Sequence, residues 1–147
     1  MVRWKLPEWH FGSYGRMLKR NRWFITLGLV YAFLAGLVGL ALLASPGWLP
    51  GDLPRIHGHL MLLGFVAMMI YGIGLHVLPR FAGRPLFSER LADGQFVLAN
   101  LGLWVLLYGW PAGNSIALTS GGALSWLAMA LFSVNIALTV RLFGPRI

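Results

Sequence analysis

The sequence predicts an all-α membrane protein: a four-helix antiparallel bundle forming one transmembrane domain over residues 1–147. Composition is the first reason, since 58% of residues are hydrophobic and 11% are charged, whereas a soluble domain has about 25% charged residues. The second reason is that four apolar runs each reach the ~20 residues that a helix needs to cross a bilayer. The expected helices cover about residues 23–44, 53–78, 89–110 and 115–143.

The composition also excludes several kinds of site. Because the chain has no cysteine, it has no disulfide, thiolate ligand, iron–sulfur cluster or attached c-type haem. A net charge of +8 is compatible with a nucleic-acid partner. However, the basic residues cluster beside the apolar runs, which is typical of membrane topology. We therefore expect membrane lipid, and no nucleic acid, as a partner.

A basic segment, residues 1–22, leads directly into the first apolar run. A signal peptide also begins with basic residues, but its apolar core has only ~7–15 residues. The run at 23–44 is longer. We therefore interpret it as a retained membrane helix preceded by a cytoplasmic segment.

Local signals predict the ends of the other three helices. Asp52 is a suitable N-cap for the second helix, with Pro54 in its first turn, and the helix is expected to stop near Pro79. Ser88 is a suitable N-cap for the third helix. The turn at 111–114 is short, so helices three and four should be antiparallel neighbours.

The distribution of Lys and Arg predicts the orientation of the chain. Six of these residues precede helix one, three lie between helices two and three, and two, Arg141 and Arg146, close the chain. Only Arg55 lies between helices one and two, and none lies between helices three and four. Since cytoplasmic loops carry an excess of basic residues, both termini are expected to be cytoplasmic. The expected location is the bacterial inner (plasma) membrane, in a multi-pass arrangement.

Helix two holds three of the four histidines in the chain. At about 100° per residue, His57 shares a face with Gly64, Met68 and Gly72. The two glycines allow either a flat macrocycle or another helix to approach closely. His59 points to the opposite, bulkier side, which can face lipid. Because residues two apart on a helix do not face each other, the two histidines are expected to have different roles.

The other polar groups have simpler interpretations. His76 and His10 are expected to form hydrogen bonds at the membrane surface. Interhelical hydrogen bonds are expected to satisfy the polar side chains deep in helices three and four. These side chains are Asn100, Ser125, Ser133 and Asn135.

Three stretches of the sequence resemble a known family. HGHLMLLGFVAMMIYGIGLHVLPRF looks like helix II of the haem–copper oxidase subunit I superfamily, which includes nitric oxide reductases and cbb3-type oxidases. PLFSERLADGQFVLANLG is similar to the start of helix III in the nitric oxide reductase branch, and WFITLGLVYAFLAGLVGL resembles helix I. The HxH-L-x-L-L-G pattern is also similar to the NnrS family of haem proteins linked to nitric oxide. The resemblance covers about a third of a full subunit I.

The resemblance implies a haem b site on helix two. His57, with His59 as the alternative, would be the axial ligand of the iron, and Gly64, Met68 and Gly72 would lie beside the cofactor. A ligating imidazole donates its other N–H to a fixed acceptor. Asp52 or a loop carbonyl near Gly51 is expected to supply that acceptor.

The ligands that are missing limit the activity that the resemblance implies. Helices three and four contain no histidine, so the second axial ligand of the family and its copper or non-haem iron ligands have no counterpart. The chain is therefore not a complete oxidase or reductase, and the sequence leaves open whether it is an enzyme. A sixth ligand would come from another subunit or from a methionine, or would be absent, leaving a site for a diatomic gas.

Two functions remain open from the sequence. The first is a small haem-b-binding protein of the inner membrane, acting in electron transfer or in respiration linked to nitric oxide or dioxygen. The second is a cofactor-free accessory subunit of a respiratory complex such as nitric oxide reductase. Either function predicts a homo-oligomer or association with respiratory-complex subunits. A channel or transporter is disfavoured, because no Asp or Glu lies mid-membrane.

Overall fold

The computed structural model describes residues 17–44 and 53–142, and this part of the chain is helical with no strand. The helices are α1 (Lys19–Ala44), α2 (Leu53–Phe81), α3 (Glu89–Gly109) and α4 (Ser115–Val140). Each is long and apolar enough to cross a membrane. The protein is therefore a multi-pass membrane protein with four candidate spans. Residues 1–16, 45–52 and 143–147 lie outside the described residues.

The start of α1 and the end of α2 differ from the predicted positions. Helix α1 begins at Lys19 rather than residue 23, because Arg20 forms ion pairs with two carboxylates of α3. Helix α2 continues through Pro79 to Phe81, since a proline in the last turn removes only one backbone hydrogen bond. Gly83, at φ +61°, then turns the chain.

Of the two predicted N-caps, the structure describes the one at Ser88. Ser88 Oγ accepts a hydrogen bond from the Leu91 N–H at 3.2 Å, so the predicted N-cap of α3 is confirmed. Helix α4 ends at Val140 rather than at residue 143, because Arg141 adopts the left-handed conformation. The predicted Asp52 cap of α2 lies outside the described residues.

A wider helical turn occupies the middle of α2. Residues Leu60–Ala67 are π-helical. The buried positions in this stretch, Leu60, Gly64 and then Met68, repeat every four residues. Four residues are close to one turn of the helix, so these positions lie on one side of α2.

Glycines set the closest approaches between helices. A Cβ at Gly121 of α4 would lie 2.4 Å from the Leu106 backbone nitrogen of α3, and one at Gly102 would lie 2.7 Å from the Ser125 nitrogen. Helices in a membrane associate by such close packing, because lipid offers no hydrophobic drive between them. The α3–α4 pair therefore depends on having no side chain at these positions.

Polar bonds join α1 to α3 at two levels. At the start of both helices, Arg20 pairs with Glu89 at 2.7 Å and with Asp93 at 2.8 Å. Deeper in the apolar spans, Tyr31 Oη donates to Asn100 Oδ1 at 2.7 Å. Within the membrane such bonds replace water as the partner of each polar group. They join the first half of α1 to α3.

The expectation of interhelical hydrogen bonds is confirmed for two of four residues. Asn100 bonds to Tyr31, and Asn135 Oδ1 accepts from the Ser88 N–H at 3.0 Å. Ser133 instead donates to the Met129 carbonyl of its own helix, so the expectation is wrong there. Ser125 Oγ is buried without a hydrogen-bond partner in the described structure.

Candidate functional site

His57 reaches from the first turns of α2 to the backbone of α1. Its Nδ1 lies 2.9 Å from the carbonyl oxygen of Ala35, a residue that is fully buried. A carbonyl oxygen only accepts, so the proton of a neutral imidazole is held on Nδ1 by this bond. The Nε2 lone pair is thereby left available. This is the tautomer of a histidine that ligates a metal while its other nitrogen is fixed by a backbone acceptor.

Gly39 makes room for the His57 ring. It lies one helical turn after Ala35 on α1, and a Cβ there would sit 3.0 Å from His57 Cε1. A larger residue would push the ring away from the Ala35 carbonyl. Sequence reasoning missed both α1 residues, although small residues at 35, 36 and 39 on one apolar helix are a visible signal of close approach.

An apolar groove lies on the outer side of α1, with His57 at its border. Its volume is about 690 Å³. At Gly36, one of its lining residues, an added Cβ would meet no atom within 4 Å. The other lining residues, apart from His57, are apolar: Phe33, Leu37, Gly39, Leu40, Leu42 and Leu43. The groove thus combines one imidazole with an apolar lining that includes an exposed glycine.

The face of α2 predicted to lie beside a cofactor is covered by α1 instead. A Cβ at Gly64 would lie 2.8 Å from Tyr31 Cβ, and one at Gly72 would lie 2.8 Å from the Asn21 carbonyl. Met68 is 1% exposed and belongs to the core. Of the two interpretations of this face, the structure shows the packed helix. These three residues do not form an open site with His57.

His59 has a separate environment. Its Nδ1 lies 2.8 Å from the Arg55 carbonyl of its own helix, and its ring packs on Trp110 with centroids 4.6 Å apart. It does not line the His57 groove. The structure therefore does not bring the two histidines together in one site.

His76, the remaining described histidine, adds no ligand to the groove. His76 contacts Arg80, one turn further along α2. His10 lies outside the described residues. Across residues 17–44 and 53–142, no three His, Cys, Asp or Glu side chains lie close enough together to hold a metal ion. What the described site offers is one oriented imidazole beside an apolar groove.

The acceptor that orients His57 also differs from the predicted ones. The Ala35 carbonyl takes this role. The predicted alternatives, Asp52 and the carbonyl near Gly51, both lie outside the described residues. A backbone acceptor from a neighbouring helix is rigid, because the α-helix holds the carbonyl in place.

Compared with protein-family models, curated proteins and solved structures, the chain gives no match. The likeness to haem–copper oxidases is therefore confined to the sequence motifs.

Proposed function

We propose that this chain is a small haem-b-binding protein of the bacterial inner membrane, with His57 as an axial ligand. It would act in electron transfer or in respiration linked to nitric oxide or dioxygen. One observation carries the proposal: the 2.9 Å contact between His57 Nδ1 and the Ala35 carbonyl, which leaves Nε2 free beside an apolar groove. The likeness of helix two to helix II of haem–copper oxidases supports the same assignment.

The residues around the groove fit a flat, largely apolar macrocycle. Gly36 leaves open space on α1, and Gly39 lets the imidazole lie against the same helix. A neutral imidazole is a common axial ligand of haem iron. When bound, haem would supply a one-electron couple and, if five-coordinate, a position for a diatomic gas. The proposed cradle is thus Gly36 and Gly39, not the Gly64–Gly72 face.

The residues of the chain would perform three tasks. The Ala35 carbonyl holds the imidazole in one tautomer and one orientation. Gly39 keeps the ring close to that carbonyl. Leu40 and Leu43, both strongly exposed on α1, would cover the macrocycle and exclude water, which influences the redox potential of a haem.

A sixth ligand is expected from outside the groove. None of the described groove residues other than His57 is a histidine or methionine. The ligand would come from a second copy of the chain or from a respiratory-complex subunit, or it would be a diatomic gas. The exposed apolar side of α1, which includes Phe33 and Leu37, suits such a partner.

A cofactor-free accessory subunit is the second candidate. One observation favours it: the glycine face of α2, the feature first interpreted as a cofactor cradle, is used for packing against α1. The α1 groove would then receive side chains of a partner helix in a respiratory complex. This function requires no free nitrogen at His57.

The absorption spectrum of the purified protein separates these functions. We expect a Soret band and a pyridine haemochrome spectrum of haem b after expression with adequate haem supply. A matched preparation of His57→Ala serves as the control for haem bound by the detergent micelle. Colourless wild-type protein that also fails to take up added haem would leave the accessory subunit as the better account.

We also propose that the four helices form an antiparallel bundle with cytoplasmic termini. Contacts between α3 and α4 support the first part, because the partner numbers fall along α4 as they rise along α3. The pairs are Ser88 with Asn135, Gly102 with Ser125, and Gly109 with Leu118. The distribution of Lys and Arg supports the cytoplasmic location of the termini. These residues are scarce in the loop between helices one and two and absent from the 3–4 turn.

Cysteine labelling tests this topology. The chain has no cysteine, so each introduced cysteine is the only thiol of the protein that can be labelled. Ala112→Cys, in the 3–4 turn, is expected to react with a membrane-impermeant maleimide in intact cells. Phe81→Cys, exposed at the end of α2, is expected to react only after the membrane is opened. The reverse pattern would show that the orientation is inverted.

A further inference from the structure

A second groove lies between the α2–α3 loop and the end of α4. Its volume is about 730 Å³, and two arginines, Arg84 and Arg141, line it. Apolar side chains line it as well, including Phe87 and Leu138, which are 58% and 45% exposed. The groove therefore combines two positive charges with an exposed apolar surface.

The two arginines have no carboxylate partner among the described residues. Glu89 and Asp93 are the two acidic residues in that part of the chain, and both pair with Arg20. Two guanidinium groups at one groove, with no counter-ion among the described residues, favour an anionic ligand. Phosphate matches the planar donor set of arginine especially well.

The groove is preformed, because the loop is tied to α4. The Phe87 N–H donates to Thr139 Oγ1 at 2.9 Å. Asn135 exchanges two hydrogen bonds with the backbone of Ser88, at 3.0 and 2.8 Å. A ligand would thus meet an ordered surface, which lowers the entropic cost of binding.

Arg141 occupies a position where glycine is the usual residue. It follows the last residue of α4 with φ 53° and ψ 47°, and its N–H bonds to the Ala137 carbonyl. A side chain in this left-handed conformation costs stability that glycine would not. The charge of Arg141 is therefore placed at the groove despite the backbone cost.

We propose that this groove binds an anionic phospholipid. The headgroup phosphate would lie between Arg84 and Arg141, and acyl chains would run over Leu138 and Phe87. The apolar lining favours a lipid over free phosphate, which would gain nothing from that surface. The position agrees with this ligand, since α4 is a candidate membrane span and Arg141 directly follows its end. Basic residues there meet headgroups.

Lipid binding to the purified full-length protein tests the proposal. Native mass spectrometry in a neutral detergent would measure binding of phosphatidylglycerol, phosphatidylcholine and inorganic phosphate. We expect tighter binding of phosphatidylglycerol than of phosphatidylcholine. Arg84→Gln and Arg141→Gly are each expected to weaken phosphatidylglycerol binding about five-fold, and the double variant should remove the preference.

Two controls separate this site from diffuse charge and from misfolding. Arg90→Gln removes the same charge from an exposed residue of α3 that does not line the groove, and it should leave binding unchanged. Arg141→Gly should melt at the same temperature or higher, since glycine suits the left-handed position. Equal loss with Arg90→Gln, no preference for the anionic lipid, or its displacement by millimolar phosphate would each overturn the proposal. Haem does not enter this assay, and the groove shares no residue with the His57 groove.

Discussion

Replacing Gly121 with alanine is expected to destabilise the protein by about 3 kcal/mol. The new Cβ would lie 2.4 Å from the Leu106 backbone nitrogen and 2.8 Å from its Cα, so relief requires a backbone to move. Helices α3 and α4 would have to separate along a contact that also includes Gly102 and Ser125. Thermal unfolding in detergent, followed by circular dichroism, measures the loss.

The neighbouring glycine supplies the control. Gly122→Ala makes the same chemical change one residue further along α4, and its Cβ would meet no atom within 4 Å. We expect a change within about 0.5 kcal/mol, as for other substitutions away from packed sites. Equal destabilisation by both variants would mean that helix flexibility, and not the approach of α3, makes Gly121 necessary.

The sequence predicts the four helices well because a single physical requirement, backbone hydrogen bonding within lipid, determines where they form. Burying long apolar runs in lipid requires the backbone to satisfy its own hydrogen bonds, and an α-helix of about 20 residues does so. The inner face of α2 is also predictable from its period. Leu60, Gly64, Met68, Gly72 and Leu75 share that face in the sequence, and all are buried.

What fills that face is not predictable from a single sequence. A glycine row shows that something approaches closely, but the row is the same for a helix as for a macrocycle. The structure resolves the choice through residues of α1, such as Tyr31 against Gly64. Their separation along the chain hides this contact from any argument based on local spacing.

The start of α1 is unpredictable for a similar reason. Residues 19–22 look like part of a basic cytoplasmic segment, because three of these four residues carry positive charge. In the structure they belong to the helix. The cause is non-local: Arg20 pairs with Glu89 and Asp93, which lie 69 and 73 residues further along the chain.

The bond between His57 and Ala35 is the part of the site that the sequence left most open. Angular position on α2 favoured His57 over His59, but only the packed structure supplies the acceptor and the groove. The side chain of Ala35 takes no part in the contact, so no sequence motif marks this residue. Its backbone carbonyl becomes relevant because Gly39 lets the imidazole reach it.

Replacing His57 with alanine is expected to abolish haem binding, while His59→Ala keeps it. Losing a polar group that only orients a ligating histidine commonly weakens metal binding roughly 10- to 100-fold, and losing the ligand itself should cost more. His59 bonds to its own helix and packs on Trp110, away from the groove. The measurement is haem per protein after purification, with the unfolding temperature of each variant as a check on folding. Loss of haem in His59→Ala alone would reassign the ligand.

A groove-filling variant tests the proposed position of the macrocycle without changing His57. Gly36→Phe places a ring in the open space of the α1 groove, since no atom lies within 4 Å of a Cβ there. Gly122→Phe makes the same change at an equally open glycine of α4. We expect Gly36→Phe to lose haem with His57 intact and Gly122→Phe to retain it. If both retain haem while His57→Ala loses it, His57 is the ligand but the macrocycle lies elsewhere than the α1 groove.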